Sequence, residues 1–428
     1  MLRSPHAMRT FPSASRPALV ALVLVLIAGA AHAADSTIVD SPPAPLIRTP
    51  IVAPAPVAAP GARPAPVDTA QENRRRTAIE DYSLGRALEQ QGAYSAAIVS
   101  YYNAAKKDGT LRGPSYRIGM LFKSRQQYRS AAQSFREELR RDPGSVPARM
   151  EYALALCELD DTTRARRMLR ELVRTAPQDA EVWRSLGFVE GRMGDLAAAE
   201  RALRGSLGLR EAHAGTWRDL GVVLVAAGRV REARDAYRRS LALAPGAPPT
   251  LINLANLEAR ANDHAAALAL YERAERADST LGDAYRGQVR ALVSLGREGD
   301  AGAVWLRWVA ATDAPEVREG AARHFLRQGR TDAALRVARD AVRAKPRSGE
   351  AWWLLGEMHA EADEVRDAVT AYRRAEGLFS DAADRARVER SLTALRAAAP
   401  DSLRTFLRAD SVSAAAADTV RRVPSAPR

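Results

Sequence analysis

The chain has 428 residues, more than one hydrophobic core normally serves, so it holds several domains, an elongated array, or long segments outside any core. Aromatic residues make up only 6%, and alanine, leucine and arginine outweigh the β-branched residues, which argues against a sheet protein and for helices. The net charge of +13 comes mainly from arginine, and the single cysteine, Cys157, excludes both an intramolecular disulfide and a cysteine-based metal cluster.

Arg3, Arg9 and Arg16 precede an apolar run over residues 18–31 (ALVALVLVLIAGAA), and Ala31-His32-Ala33 supplies the small-x-small pattern that signal peptidase accepts. The run is short of the ~20 apolar residues of an ordinary membrane span. Residues 1–33 therefore read as a cleavable signal peptide, which predicts a periplasmic or secreted protein. Membrane contact is expected only through the leader, if it stays uncleaved. Over residues 34–76 proline recurs every few positions and removes backbone donors, which predicts a disordered, semi-rigid Pro/Ala-rich linker.

From there the sequence repeats. Alanines stand at Ala97, Ala131, Ala165, Ala199, Ala233, Ala267 and Ala301, each 34 residues after the last, and continue at Ala334 and Ala368. Twelve residues before each comes Gly85, Gly119, Ala153, Gly187, Gly221, Ala255, Val289, Ala322 or Gly356, small in all but one unit. The residue ahead of that one is leucine in five units, among them Leu84, while unit seven has Gln288 and unit eight Ala321. Four residues after the alanine a large side chain recurs, as in Tyr101, Phe135, Leu203, Tyr237 and Tyr372. In Trp217-Arg-Asp-Leu220-Gly221-Val-Val-Leu224 the apolar residues fall on one face of a helix. Gly221 and Ala233 are expected to be small where two antiparallel helices cross. Gly92, Gly194, Gly228, Gly296 and Gly329 are expected to end first helices in the left-handed conformation, with Asp160, Asn262 and Asp363 in the same place elsewhere. Unit two has Gln126 there. Pro143, Pro177, Pro245 and Pro346 stop second helices.

In its 34-residue register, with Trp183, Trp217 and Trp352 at the early aromatic position, the chain resembles the tetratricopeptide repeat (TPR) family over residues 77–381. The resemblance implies an all-α, right-handed α-solenoid of about nine helix-turn-helix repeats. A helix near residues 383–397, apolar on one side, fits the cap that closes such arrays, giving a solenoid over 77–398. Residues 399–428 lack sustained period and are expected to be a disordered tail.

The resemblance further implies a concave groove lined by the first helix of every unit. Carried onto this sequence, its fifth, ninth and thirteenth places hold apolar residues early, including Tyr82, Tyr116, Met150 and Phe188. They become basic in units four to eight with Arg184, Arg218, Arg260, Arg286, Arg290, Arg323 and Arg327, beside Asn256, and acidic in unit nine with Glu357. Such arginines can grip an acidic peptide, since guanidinium forks pair bidentately with carboxylates. The bland reading is that they are solvated and offset by neighbours such as Glu181 and Asp283. The lysine and paired asparagines of the family's carboxylate clamp are not reproduced.

Catalysis needs convergent groups, and few are on offer. His213, His264, His324 and His359 lie in different repeats, none at metal-pair spacing, and no phosphate loop or nucleophile elbow is present. No cofactor or metal is expected, Cys157 reads as inert, and no enzyme is expected. The expected function is a cell-envelope scaffold that binds a protein or peptide. The alternative is binding of a glycan or an anionic surface polymer through Trp353, Tyr82, Tyr116 and the arginines. Export disfavours nucleic acid as a partner.

Overall fold

The computed structural model describes residues 69–398. The leader, the linker up to residue 68 and the tail from residue 399 fall outside the described residues. Within them every regular element is a helix, nineteen in all. Nine pairs follow one another: α1 (Thr69–Gln90) and α2 (Tyr94–Lys107), α3 (Pro114–Ser124) and α4 (Tyr128–Arg141), α5 (Val146–Glu158) and α6 (Thr162–Thr175), α7 (Ala180–Arg192) and α8 (Leu196–Leu209), α9 (Ala214–Ala226) and α10 (Val230–Leu243), α11 (Pro248–Arg260) and α12 (His264–Ala277), α13 (Gly282–Ser294) and α14 (Glu298–Ala311), α15 (Pro315–Arg327) and α16 (Thr331–Ala344), α17 (Gly349–Glu361) and α18 (Val365–Leu378). A last helix, α19 (Ala382–Ala398), follows them. They form two compact units that divide within α11, after Leu257.

Helix α1 begins at Thr69, inside the stretch 34–76 read as linker. Residues 69–76 (TAQENRRR) contain no proline, and Glu72 sits in the first turn, where the helix dipole favours an acid. The proline-rich composition has already ended there.

Each first helix closes in the same way. The backbone is left-handed at Gly92, Gln126, Asp160, Gly194, Gly228, Asn262, Gly296, Gly329 and Asp363, with φ between 59° and 82°. In the first turn Gly92 N–H donates to Glu89 O at 3.0 Å and Ala93 N–H to Leu88 O at 2.9 Å. This bond pair, which satisfies the orphan carbonyls of a helix end, recurs at all nine turns. The residue after it starts the second helix, and where it is Asp161, Asp195 or Asp263 the carboxylate accepts the N–H three residues on. One backbone device thus sets the spacing that the sequence shows as a period.

The nine in-phase alanines are all fully buried. The small residue twelve positions earlier is small for a different reason. A Cβ on Gly85 would lie 2.6 Å from the Tyr101 ring, one on Gly187 2.6 Å from Leu203, and one on Gly356 2.5 Å from Tyr372, with Gly221 meeting Tyr237 alike. The glycine therefore makes room for the large side chain four residues after the alanine, rather than for the alanine itself. Trp183, Trp217 and Trp352 are half-buried, and each donates its indole N–H at 2.9 Å to a carbonyl six residues earlier, of Pro177, Glu211 or Pro346. Tyr285 Oη does the same to Ser279 O at 3.1 Å. The early aromatic position staples the first helix to the loop that enters it.

The departures from the pattern have local remedies. Gln288, at the leucine place of unit seven, is fully buried, yet its Nε2 donates to Glu275 at 2.7 Å and its Oε1 accepts from Arg307 at 3.1 Å. Arg307 also binds Glu275 at 3.0 Å, so the polar group costs no unmade bond. In unit eight the Trp305 ring packs over Gly320, beside Ala321. Leu84, by contrast, is 52% exposed, although the same place holds a buried residue in every later unit. That place packs against the preceding pair, and no described pair precedes α1. The other end is closed: α19 buries Val388, Leu392 and Leu395 against the last pair.

Candidate binding faces on the first helices

Within residues 69–257 the first helices of successive pairs lie side by side, α5 by α7 and α7 by α9. Charged side chains on them are spent joining one to the next. Arg117 on α3 reaches Glu89 on α1 at 3.6 Å, and Lys123 on α3 binds Glu151 on α5 at 2.7 Å. Arg192 on α7 binds Glu158 on α5 at 3.0 Å, and Arg184 on α7 binds Asp219 on α9 at 2.8 Å. None of these pairs is visible as a local motif, because the partners lie about one period apart in the chain.

Two of the expected binding arginines belong to this ladder. Arg184 also lies 3.4 Å from Glu181. Arg218 is only 11% exposed and donates Nε and Nη2 to Asp219 Oδ1 at 3.1 and 2.8 Å, so both guanidiniums converge on one carboxylate. Burial alone would raise the Asp219 carboxyl, but the charges of Arg218 and Arg184 outweigh it and hold it below the ordinary carboxylate value. His213 caps α9 as an acceptor: its Nδ1 takes the Thr216 N–H at 3.2 Å and lies 2.8 Å from Thr216 Oγ1. Burial, with the Arg184 charge next, keeps that imidazole below its ordinary pKa and hence neutral. Asn256 is half-buried on α11.

Residues 258–398 differ. Arg260, Arg290 and Arg327 are exposed on α11, α13 and α15, and none is paired with an acid. Arg290 instead hydrogen-bonds the hydroxyl of Tyr271, which burial raises above the ordinary tyrosine value. Arg286 lies over the Trp308 ring at 5.8 Å and 3.6 Å from Asp283, and Arg323 pairs with Glu319 at 2.6 Å along its own helix. The bridge from a first helix to the next helix on this side falls at unit nine, where Arg387 of α19 holds Glu350 at 3.0 Å. The same guanidinium lies 3.6 Å over the Trp353 ring and covers it, so Trp353 is no open platform for a sugar. Tyr82 and Tyr116 are half-buried. Glu357 accepts from Tyr372 Oη at 2.6 Å and from Ser391 at 2.8 Å. The acidic end of the basic zone is thus tied into packing.

Cys157 is fully buried, and burial pushes its thiol up to about 12, which leaves no thiolate for chemistry. The ligand atoms of His359, Glu364 and Asp367 lie within 4.8 Å of one another across the α17–α18 turn. Spacing within one helix could not show them, since the two acids follow the turn. Within the group His359 Nδ1 and Glu364 share a hydrogen bond of 2.5 Å. Among the described residues no helix is long and apolar enough to cross a membrane.

Two tetratricopeptide repeat family models match, one over residues 67–110, 189–248 and 320–383 and the other over 124–187, together more than half of the chain. Solved structures that resemble it include pilF of Pseudomonas aeruginosa, 19% identical over 51% of this chain and 99% of that one, with a TM-score of 0.42. A thermophilic TPR protein of Thermus thermophilus is 21% identical over 42% and 97%, with a TM-score of 0.39. MamA from Desulfovibrio magneticus RS-1 is 18% identical over 40% and 96%, with a TM-score of 0.36. No curated protein matches. With nine buried alanines in register and nine identical turns behind it, the family match places this chain among the tetratricopeptide repeat proteins, whose general role is to hold other proteins rather than to catalyse.

Proposed function

We propose that the protein is a non-enzymatic scaffold of the cell envelope that holds an acidic peptide or protein segment on the first-helix face of residues 258–398. The observation that carries the reading is the contrast in how arginine is used. Arg184 and Arg218 are neutralised by Asp219, whereas Arg260, Arg290 and Arg327 stand exposed without an acid partner. A carboxylate-bearing segment is the complement such guanidiniums lack, and Arg286 over Trp308 adds a cation with an aromatic backing. The apolar run and Ala31-His32-Ala33 support export.

Binding of a fluorescent glutamate-rich peptide, followed by anisotropy, tests the face. Arg290→Glu with Arg327→Glu should weaken it about tenfold or more, while Arg184→Gln should change it little. Unchanged affinity in the double variant would remove the reading. Export is tested separately by sequencing the N-terminus of the protein recovered from the periplasm or medium, expected at Ala34.

A further inference from the structure

A second basic surface lies on a second helix, within residues 69–257. Helix α6 carries Arg164, Arg166, Arg167, Arg170 and Arg174, and these line an open concavity of about 600 Å³ with Thr163 and Asp161. Helical spacing puts Arg166, Arg170 and Arg174 in one row, four residues or about 6 Å apart, with Arg167 beside them. The one acid of the lining, Asp161, accepts the Arg164 N–H as the helix cap.

Part of the row is fixed in place from below. Glu190 of α7 is 1% exposed, binds Arg170 at 2.6 Å and lies 3.9 Å from Arg166. Its Oε2 is buried without a hydrogen bond, so this carboxylate is not saturated by the two arginines it orients. Arg164 lies over the Tyr152 ring at 5.5 Å. Arg167 and Arg174 are exposed with no acidic partner. Two guanidiniums are therefore pre-set and two are unspent, at a place where like charges repel unless something neutralises them.

The lining also says what kind of anion fits. It contains no apolar or aromatic side chain, whereas a docked protein needs a dry apolar centre to its interface. The lining holds no ring, and Tyr152 beneath Arg164 is buried, so the concavity offers nucleobases no surface to stack on. We infer that the α6 arginine row binds a linear, base-free phosphate polymer through its oxyanions. Guanidinium forks engage phosphate oxygens bidentately, and a repeating charge meets a repeating row.

The test uses the full chain and a labelled inorganic polyphosphate, with anisotropy read at low salt and again as salt rises. Arg167→Glu with Arg174→Glu should weaken binding about tenfold or more and flatten the salt dependence. Arg336→Glu with Arg339→Glu, an equal charge change at exposed positions of α16, should weaken it less than about twofold. The neutral pair Arg167→Gln with Arg174→Gln should fall between them, and circular dichroism should be unchanged in all three. Equal losses in the α6 and α16 variants would reduce the effect to net charge and overturn the inference. So would a loss of polyglutamate or single-stranded oligonucleotide binding in the Arg167→Glu with Arg174→Glu variant as large as its loss of polyphosphate binding, or no binding of polyphosphate by the wild type.

Discussion

Asp219→Asn tests the ladder of charges most directly. Asp219 accepts from Arg184 Nε at 2.8 Å and from Arg218 Nη2 at 2.8 Å, and it is the tie between α7 and α9. The substitution keeps the shape but removes the charge, and it turns one acceptor into an amide donor facing a guanidinium. Breaking a buried pair by neutralising one partner costs about 3–5 kcal/mol. Here the Asp219 side chain is 16% exposed and that of Arg184 27%, so water recovers part of the loss and about 2–3 kcal/mol is expected. Urea unfolding at neutral pH should show this, and hydrogen exchange should place it in α7 and α9, because repeat proteins unfold unit by unit. The folded Asp219 pKa is depressed, so its contribution is complete above the unfolded carboxylate value and is lost as pH falls through the folded one. The gap between wild type and variant should stay constant from pH 7 to 5 and close below about pH 4. A loss under about 1 kcal/mol, or a gap that persists in acid, would refute the view that two guanidiniums are held by this carboxylate.

Three further outcomes follow from the geometry. Gln126→Gly should stabilise the chain by about 0.5–1 kcal/mol in denaturant unfolding, since Gln126 holds the left-handed turn conformation that its glycine counterparts adopt without steric cost. His213 and His324 both have lowered pKa values, chiefly by burial, so the unfolded chain binds their protons more readily and stability should fall as pH drops below about 6.5. His213→Asn keeps an acceptor at the α9 cap, and thermal melts from pH 7.5 to 5.5 should show a flatter decline than wild type; an equal decline would assign the effect elsewhere. Glu275→Ala should cost about 1–3 kcal/mol by leaving Gln288 Nε2 buried and unbonded, with hydrogen exchange rising around α13 and α14.

The repeat was legible because it is written in side-chain size. A fully buried alanine at Ala97 or Ala267 and a left-handed residue at Gly92 or Asp160 have few substitutes, so the chain spells them out every period. Those readings needed only neighbours within a helix pair. What could not be read depends on partners one period away or on position in the array. Leu84 follows the pattern and is exposed, because its packing partner would lie in a unit ahead of α1. Gln288 breaks the pattern and is buried, because Glu275 and Arg307 come from the two flanking second helices. The candidate arginines share only a place in the unit, and place does not tell a neutralised Arg218 from an Arg327 without an acid partner. Only the position of Asp219 separates them.

That separation has an energetic consequence. An arginine tied to a carboxylate on the next first helix stabilises the stack and has little left for a ligand, while one left unpaired keeps its donors but repels its neighbours. The two uses exclude one another at a given side chain. Within 69–257 the first helices follow the former course, with Arg117, Lys123, Arg184 and Arg192 all engaged. Within 258–398 Arg260 and Arg327 follow the latter, and Arg290 spends a donor on the Tyr271 hydroxyl alone, so an acidic ligand would supply the carboxylate these guanidiniums lack. Such a ligand should therefore raise the melting temperature and slow hydrogen exchange in α13 and α15, by about 2.7 kcal/mol at a hundred times its dissociation constant. It should leave exchange in α7 and α9 as it was. Protection that appeared first in α7 and α9 would mean that the ligand competes with Asp219 for Arg184 and Arg218, and that the arginines without carboxylates are not the ones that bind.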